Sequence, residues 1–422
     1  MRQVAVLLAP ALLLLASGCA SGDADASGAV TRDSAGVAIV EYPATAWADA
    51  SEWQLSSEPL AVMGGDLDDA ELDLSNSFLG LLLPDNRVVA ASIAAPPQVF
   101  LFAADGSSRT PIGGAGEGPG EYMFVTGLTR LGSDTIAVYD LNGRKALLFT
   151  SDGEERGRLQ VPFSGDVTQP PQLIGRASDG TWVFRPFDQL NLPGDDAPEQ
   201  YRKEATLAKW QEGGERLDSM MTVQGPLSIR SALEMGGQSI PFGRPLAHGP
   251  NSSQAVSGDL LWSTPGDVFV LRAHDMTGKL VREVRVPMEA RPVTEAEREA
   301  FRARQREGLE RARSFGAPPQ IIESELAKVE AMPFADTHAA IGQLTTDNVG
   351  RLWATTGLPV VDSVLAYGVF SSGGSCLGTI TLPGGFVLGA NEDRVVIRRE
   401  DPETGLVRLE VWGLVPPADD AP

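Results

Sequence analysis

Beyond its first thirty residues the chain alternates short apolar runs with turn residues, and the runs have the length of strands. Gly36–Tyr42 (GVAIVEY) is a β-branched run ended by Pro43. Strands are predicted next at Phe78–Leu83, Arg87–Ala91 and Gln98–Ala103, punctuated by Pro84-Asp85-Asn86 and Asp105-Gly106. Proline fixes φ, Asp and Asn bond their own backbone, and Gly accepts positive φ, so these clusters set turns. The layout then repeats at Thr126–Leu131, Thr135–Tyr139, Lys145–Thr150 and Arg156–Val161, with turns at Gly132-Ser133-Asp134, Leu141-Asn142-Gly143 and Asp152-Gly153. Four short strands in about forty residues is the size of one propeller blade.

The period continues. A third unit reads Gln172–Arg176, Gly180–Arg185, Thr206–Gln211 and Leu217–Val223, with a long middle loop from Pro186 to Lys203. A fourth reads Phe242–Leu246, Ser253–Ser257, Val268–His274 and Leu280–Val286. A fifth reads Ile341–Thr345, Leu352–Thr355, Leu365–Phe370 and Cys376–Leu382. The last unit has only three strands, Phe386–Ala390, Arg394–Glu400 and Val407–Gly413. The GVAIVEY strand, or Trp53–Met63, is expected to supply its fourth. A ring closed by strands from both ends of the chain leaves no open edge. The expected fold is therefore all-β: a six-bladed β-propeller over residues 30–416, with a disordered tail at 417–422.

One stretch breaks the β pattern. Thr294 with Glu297 three residues on forms a capping box, and the helix it opens runs to about Phe315, where Gly316 stops it. Pro318-Pro319 opens a second helix through about Glu330, with Ile322, Leu326 and Val329 on one face, and Pro333 ends it. Residues 294–333 thus form a helical insertion between blades four and five.

The N-terminus carries a different signal. Arg2, the apolar run Val4–Leu15 and the small residues before Cys19 (L-A-S-G-C) form a lipobox. The run is too short to span a bilayer, which takes about 20 apolar residues. Residues 1–18 read as a lipoprotein signal peptide, Cys19 as the lipidated first residue, and 19–29 as a flexible tether. Ala20 follows Cys19, so outer-membrane sorting is expected. With Cys19 acylated, Cys376 stands alone and no disulfide framework remains. The net charge of −22, from 56 acidic and 34 basic residues, argues against nucleic acid and against charge-driven adhesion to an anionic bilayer.

Three segments resemble the six-bladed β-propeller lipoproteins of bacteria, which are related to NHL-repeat propellers. They are Gly113–Tyr122 (GGAGEGPGEY), Asp134–Gly153 (DTIAVYDLNGRKALLFTSDG) and Pro333–Trp353 (PFADTHAAIGQLTTDNVGRLW). Tyr122 stands where Phe is commoner. The resemblance implies the propeller fold and a structural pairing role for Asp140 and Arg144, and it says little about function.

The candidate sites are weighed in the same way. Gly114, Gly116, Gly118 and Gly120 fall at every second residue and a strand follows, so this is a turn and not a phosphate cradle. Glu121 and Tyr122 in that loop, Asp140 and Arg144 beside the next, and Asp336 with His338 after the insertion are placed at the mouth of the central channel as candidate ligand contacts. Arg302, Arg304 and Arg306 form a basic island on the first inserted helix, interleaved with glutamates, and are the candidate partner contact. Asp66, Asp68, Asp69, Glu71 and Asp73 cluster, but lack the glycine and spacing of a calcium loop. No catalytic motif and no metal-ligand spacing is present, since the three histidines are scattered. The expected function is a non-enzymatic binding propeller on the outer membrane, facing the periplasm or the exterior, with a protein, peptide or glycan ligand and no cofactor. The alternative is a calcium-dependent, lactonase-like hydrolase holding its metal in the channel.

Overall fold

The computed structural model describes residues 28–65, 72, 74–93, 96–162, 171–186, 198–235, 238–314, 318–356, 365–401 and 404–417. Cys19, the signal peptide, most of the tether, the acidic cluster at 66–73 (apart from Leu72) and the residues after 417 lie outside them.

Each blade is an antiparallel sheet whose strands run outward in chain order. Blade one is Leu79–Leu82, Val88–Ser92, Gln98–Phe102 and Arg109–Pro111, and blade two is Val125–Leu131, Thr135–Asp140, Lys145–Thr150 and Glu155–Gln160. Blade three is Pro171–Arg176, Thr181–Pro186, Gln200–Gln211 and Asp218–Met235, extended by Gln238–Pro245. Blade four is Ser253–Ser257, Leu260–Thr264, Val270–Asp275 and Leu280–Arg285, and blade five is Leu344–Thr346, Leu352–Thr355, Leu365–Phe370 and Cys376–Leu382. Blade six is Phe386–Ala390, Arg394–Glu400 and Val407–Val415, with Ala61–Gly64 antiparallel on its outer edge. The six inner strands touch one another in sequence, and that of blade six touches that of blade one. The chain is a six-bladed β-propeller.

Two expectations are corrected. Phe242–Leu246 is not the first strand of blade four; it belongs to the hairpin that lengthens blade three, where Phe242 faces Ser231. The strand the sequence reading missed in blade four is Leu260–Thr264. Nor does GVAIVEY close the ring. Val37–Glu41 lies parallel to the outer strand of blade four, and Glu52–Leu55 bridges the outer strand of blade five to Val407–Val415. Closure falls to Ala61–Gly64, within the alternative segment Trp53–Met63 except for Gly64.

The core is distributed. Six clusters of buried apolar residues occupy the six gaps between neighbouring blades, and among the described residues no cluster fills the axis. Trp182, Trp262 and Trp353 lie on the second strands of blades three, four and five and are fully buried, Trp182 in the gap before its blade and the other two in the gap after theirs. A tryptophan buries roughly 150–250 Å² and so supplies much of one gap. At the channel the blades come closer still. A Cβ on Gly127 of blade two would lie 2.6 Å from Leu173 Cβ of blade three, and one on Gly80 of blade one 2.9 Å from Leu388 Cβ of blade six. A Cβ on Gly175 would lie 3.1 Å from Val256 of blade four, and one on Gly389 3.0 Å from the Leu82 amide of blade one. Glycine is required at these positions for close approach, since none has positive φ.

The insertion forms as its signals predict. Helix α1 is Glu295–Ser314 and helix α2 is Pro319–Glu330. The Thr294 hydroxyl accepts from the Glu297 amide, and Glu297 Oε2 accepts from the Thr294 amide. Ile322 and Val329 of α2 are buried. The 20 residues of α1 span about 30 Å. That reach carries the helix from the foot of the insertion, where the Val293 amide donates to Asp336 O, to blade six, where Arg311 meets Glu400 at 3.2 Å.

Two glycine-to-alanine substitutions are expected to act in opposite directions. Gly127→Ala overpacks the blade two–three junction and should lower stability by about 1–3 kcal/mol. Gly308→Ala, in α1 with open space around its Cα, should raise the stability of the helix by about 1 kcal/mol. Denaturant midpoints of the two variants check the pair, and a neutral Gly127→Ala would show that the junction is loose.

Candidate functional site

The inner strands turn their edges to the axis, so consecutive residues line the channel. Its upper half, where these strands begin, encloses 320 Å³, and its lower half, where they end, 370 Å³. The halves meet at a waist to which every blade contributes: Gly80, Leu128, Ile174, Gln254, Leu344 and Leu388.

The upper half is apolar below and polar above. Gln172, Gln254 and Gln343 come from the inner strands of blades three and four and from the approach to that of blade five. Arg185 lies opposite Gln172 on the neighbouring strand. Burial pushes the Arg185 guanidinium below its ordinary value, and no charge offsets this. Among the described residues no side chain bonds the side chain of Gln172, Gln343 or Arg185, although the Gln343 backbone amide donates to the Thr355 hydroxyl at 2.7 Å. Phe78 stands at the rim, about half exposed, with the Arg398 guanidinium 4.5 Å from its ring centre. Among the described residues no acid lines this upper half. It can offer one fixed cation and several amides, each both donor and acceptor, to something seated above an apolar floor.

None of the sequence-predicted mouth residues lines either half. Tyr122 is buried between blades one and two. Its hydroxyl donates to Ile112 O at 2.8 Å and accepts from the Val99 amide at 3.1 Å, and burial pushes its pKa up to about 12. Glu121 folds its own loop by accepting from the Gly118 amide at 2.7 Å. Asp140 is fully buried, accepts from the Phe124 amide at 3.0 Å and lies 3.9 Å from Lys145 Nζ. The acid is structural, as the resemblance implies, but the ion-pair partner is Lys145. Arg144 adopts φ 49° in the turn between the two strands.

Asp336 and His338 sit at the foot of the insertion, away from the channel. His338 Nε2 is 3.1 Å from Glu297 Oε2, and the His338 ring lies 4.9 Å from that of His248. His248 packs against Phe301 and Phe334, and Arg302 stacks over Phe334 at 5.0 Å. Burial, then the nearby His338, pushes His248 down to about 4. Burial alone would raise the Glu297 carboxyl. Hydrogen bonds from the Thr294 amide, His338, Arg291 and the Thr294 hydroxyl outweigh it and hold the carboxyl well below the usual range. The basic island is used within the insertion: Arg306 bonds Glu330 of α2 at 2.6 Å and Glu299 at 2.8 Å, and Arg302 reaches Glu295 and Glu299. Arg304 is exposed on α1.

Among the described residues no three His, Cys, Asp or Glu side chains converge on a point. The channel residues that sequence reading missed are Arg130, Gln172, Arg185, Gln254 and Gln343. Their signal is a polar residue on or beside a blade's inner strand, which becomes readable only once the blade register is known.

Residues 85–184 match a family described as a 6-bladed beta-propeller (DUF5128), from the first turn of blade one to the second strand of blade three. No curated protein matches the sequence. Among solved structures, a member of the DUF4221 family from Bacteroides vulgatus is 10% identical, over 87% of this chain and 100% of its own, with a TM-score of 0.49. A virginiamycin B lyase from Staphylococcus aureus is 12% identical, over 86% and 98%, with a TM-score of 0.40. The calcium-binding protein regucalcin from Agrobacterium tumefaciens is 10% identical, over 87% and 98%, with a TM-score of 0.38.

The histidine cluster makes stability depend on pH. His248 has a folded pKa near 4, below the unfolded value of about 6.5, so the unfolded chain binds the proton more readily between the two. Stability is expected to be full above about pH 6.5 and to fall on acidification towards pH 4. The depressed Glu297 carboxyl adds a further loss below its unfolded value of about 4.3. His248→Asn keeps a residue that tolerates the φ of 63° found there and removes the ionisation. Thermal melts from pH 7.5 to 4.5 should show a shallower decline in that variant; an unchanged slope would rule the cluster out as its source.

Proposed function

We propose that the chain is a non-enzymatic binding propeller, carried on the outer membrane by lipid on Cys19, whose ligand seats in the upper half of the channel. One observation carries the reading. Arg185 is a half-buried cation with, among the described residues, no carboxylate beside it, set among Gln172, Gln254 and Gln343 in a chain of net charge −22. A charged donor left without an acceptor is costly, and a ligand carboxylate would complete it. Sugar hydroxyls both donate and accept, as side-chain amides do. A glycan bearing a uronate-type carboxylate is therefore the ligand class that fits.

The hydrolase alternative fares less well on the same lining. A calcium site needs six to eight oxygen ligands, several of them carboxylates. Among the described residues the one acid lining the channel is Asp347, and its side chain is fully buried. Its oxygens accept from the Val349 and Arg351 amides, the Arg351 guanidinium and Trp353 Nε1. For the anchor, among the described residues no helix is long and apolar enough to cross a membrane. A lipid on Cys19 would give the attachment its own route.

Titration calorimetry with neutral and uronate-bearing oligosaccharides should show binding of the acidic ones only. Arg185→Gln should weaken it by about 10–100-fold, the range for losing a hydrogen bond to a charged group. Equal binding by the variant would remove the ligand reading. Separately, Cys19→Ser should move the protein from the membrane to the soluble fraction; unchanged fractionation would remove the anchor.

A further inference from the structure

The lower half of the channel contains a second cation in an unmet state. Arg130 is the last residue but one of the inner strand of blade two and lines the 370 Å³ space. Its Nη1 is shut off from solvent and meets no acceptor. Burial lowers its guanidinium from the ordinary value, and no neighbouring charge offsets this. The other two charged residues of the lining are already engaged. Arg176 is turned outward onto Glu212 at 2.9 Å. Asp347 is turned into blade five, where amides, Arg351 and Trp353 occupy its oxygens. The charge facing this space is therefore positive. Thr129, Thr345 and Gln254 line the same space and add hydroxyl and amide donors.

We infer that the lower half of the channel is a binding site for a small oxyanion, seated on the guanidinium of Arg130. The site is independent of the upper seat, because the Leu128–Leu388 waist lies between them and Arg185 lines only the upper half. A guanidinium presents a planar fork of N–H donors that matches carboxylate, phosphate or sulfate oxygens in pairs. The space falls within the usual range for small-molecule sites, roughly 300–1,000 Å³. The acidic surface repels anions at long range, so only a short-range, desolvated contact can hold one here. The chemistry shared by the three anions is the basis of recognition, and a titration separates them.

The full mature chain in detergent is titrated with inorganic phosphate, sulfate and acetate, against chloride at matched ionic strength. Saturable binding of at least one oxyanion, and none of chloride, is expected. Arg130→Gln should weaken it at least tenfold and Arg130→Lys less, whereas Arg185→Gln should leave it unchanged. A second measurement covers the case where Arg130→Gln fails to fold. In the native protein, modification of Arg130 by an arginine-specific dicarbonyl, read by mass spectrometry, should slow when the bound anion is present. Non-saturable responses, equal binding by Arg130→Gln, or modification of Arg130 indifferent to the anion would each overturn the site. Loss of binding in Arg185→Gln alone would assign the anion to the upper seat and also overturn it. Failure of the uronate titration would leave this site untouched.

Discussion

The structure depends on how closely six sheets can meet at one axis. The outer parts of the blades have room for tryptophan and phenylalanine in the gaps between them. The inner edges do not. There, Leu173 and Leu388 of one blade press where the next has Gly127 and Gly80, and side chains on both sides would collide. Because interiors tolerate neither voids nor overlap, these junctions fix the spacing of the ring. The spacing then fixes the channel, its waist and the separation of the two arginines. Hydrogen bonds between turns reinforce it on the lower face: Ser178 to Gly258, Ser257 to Gly350, Asn348 to Ala390, and Asn391 to Asn86.

The fold was largely legible because its signals are local. Turn residues recur at blade spacing, and both helices carry their own start signals at Thr294 and Pro318-Pro319. What was misread depends on distant pairing. Phe242–Leu246 has strand composition and is a strand, but its partner is the overlong Asp218–Met235, and counting from it hid Leu260–Thr264. GVAIVEY has the same composition as a closing strand, and only packing sends it to blade four. The candidate site was less legible. Loop residues such as Tyr122 and Asp140 looked exposed because loops usually are, yet each is buried as a brace for its own turn. Arg130 and Arg185 sit on strands, where a lone arginine resembles any surface charge until the blade is oriented around the axis.

The insertion and the N-terminal segment serve one architectural end. Both run around the ring and not along a blade. Residues 37–64 touch blades four, five and six in turn, with the Tyr42 hydroxyl between Gly374 O and the Cys376 amide and Trp53 Nε1 on Leu377 O. The helices tie blades three, four and six from above, through Arg244 to Lys328 O and Arg311 to Glu400. A propeller whose blades touch only neighbours thus gains second-neighbour ties on its more complex side.

The closing strand has a temporal meaning. Ala61–Gly64 is made before any inner strand, and its partner Val407–Val415 emerges only after blades one to five. Blades one to five can fold as they emerge, yet the ring stays an open arc until Val407–Val415 has emerged. Pairings so distant in sequence form slowly, because chain entropy must be lost before the contacts form. During that interval the Val407–Val415 edge and the cluster around Met63 and Leu409 are unsatisfied. Until then the molecule is an incomplete circle with one adhesive end. The vulnerable species for aggregation or proteolysis is this open arc, and neither the separate blades nor the completed ring shares its exposure.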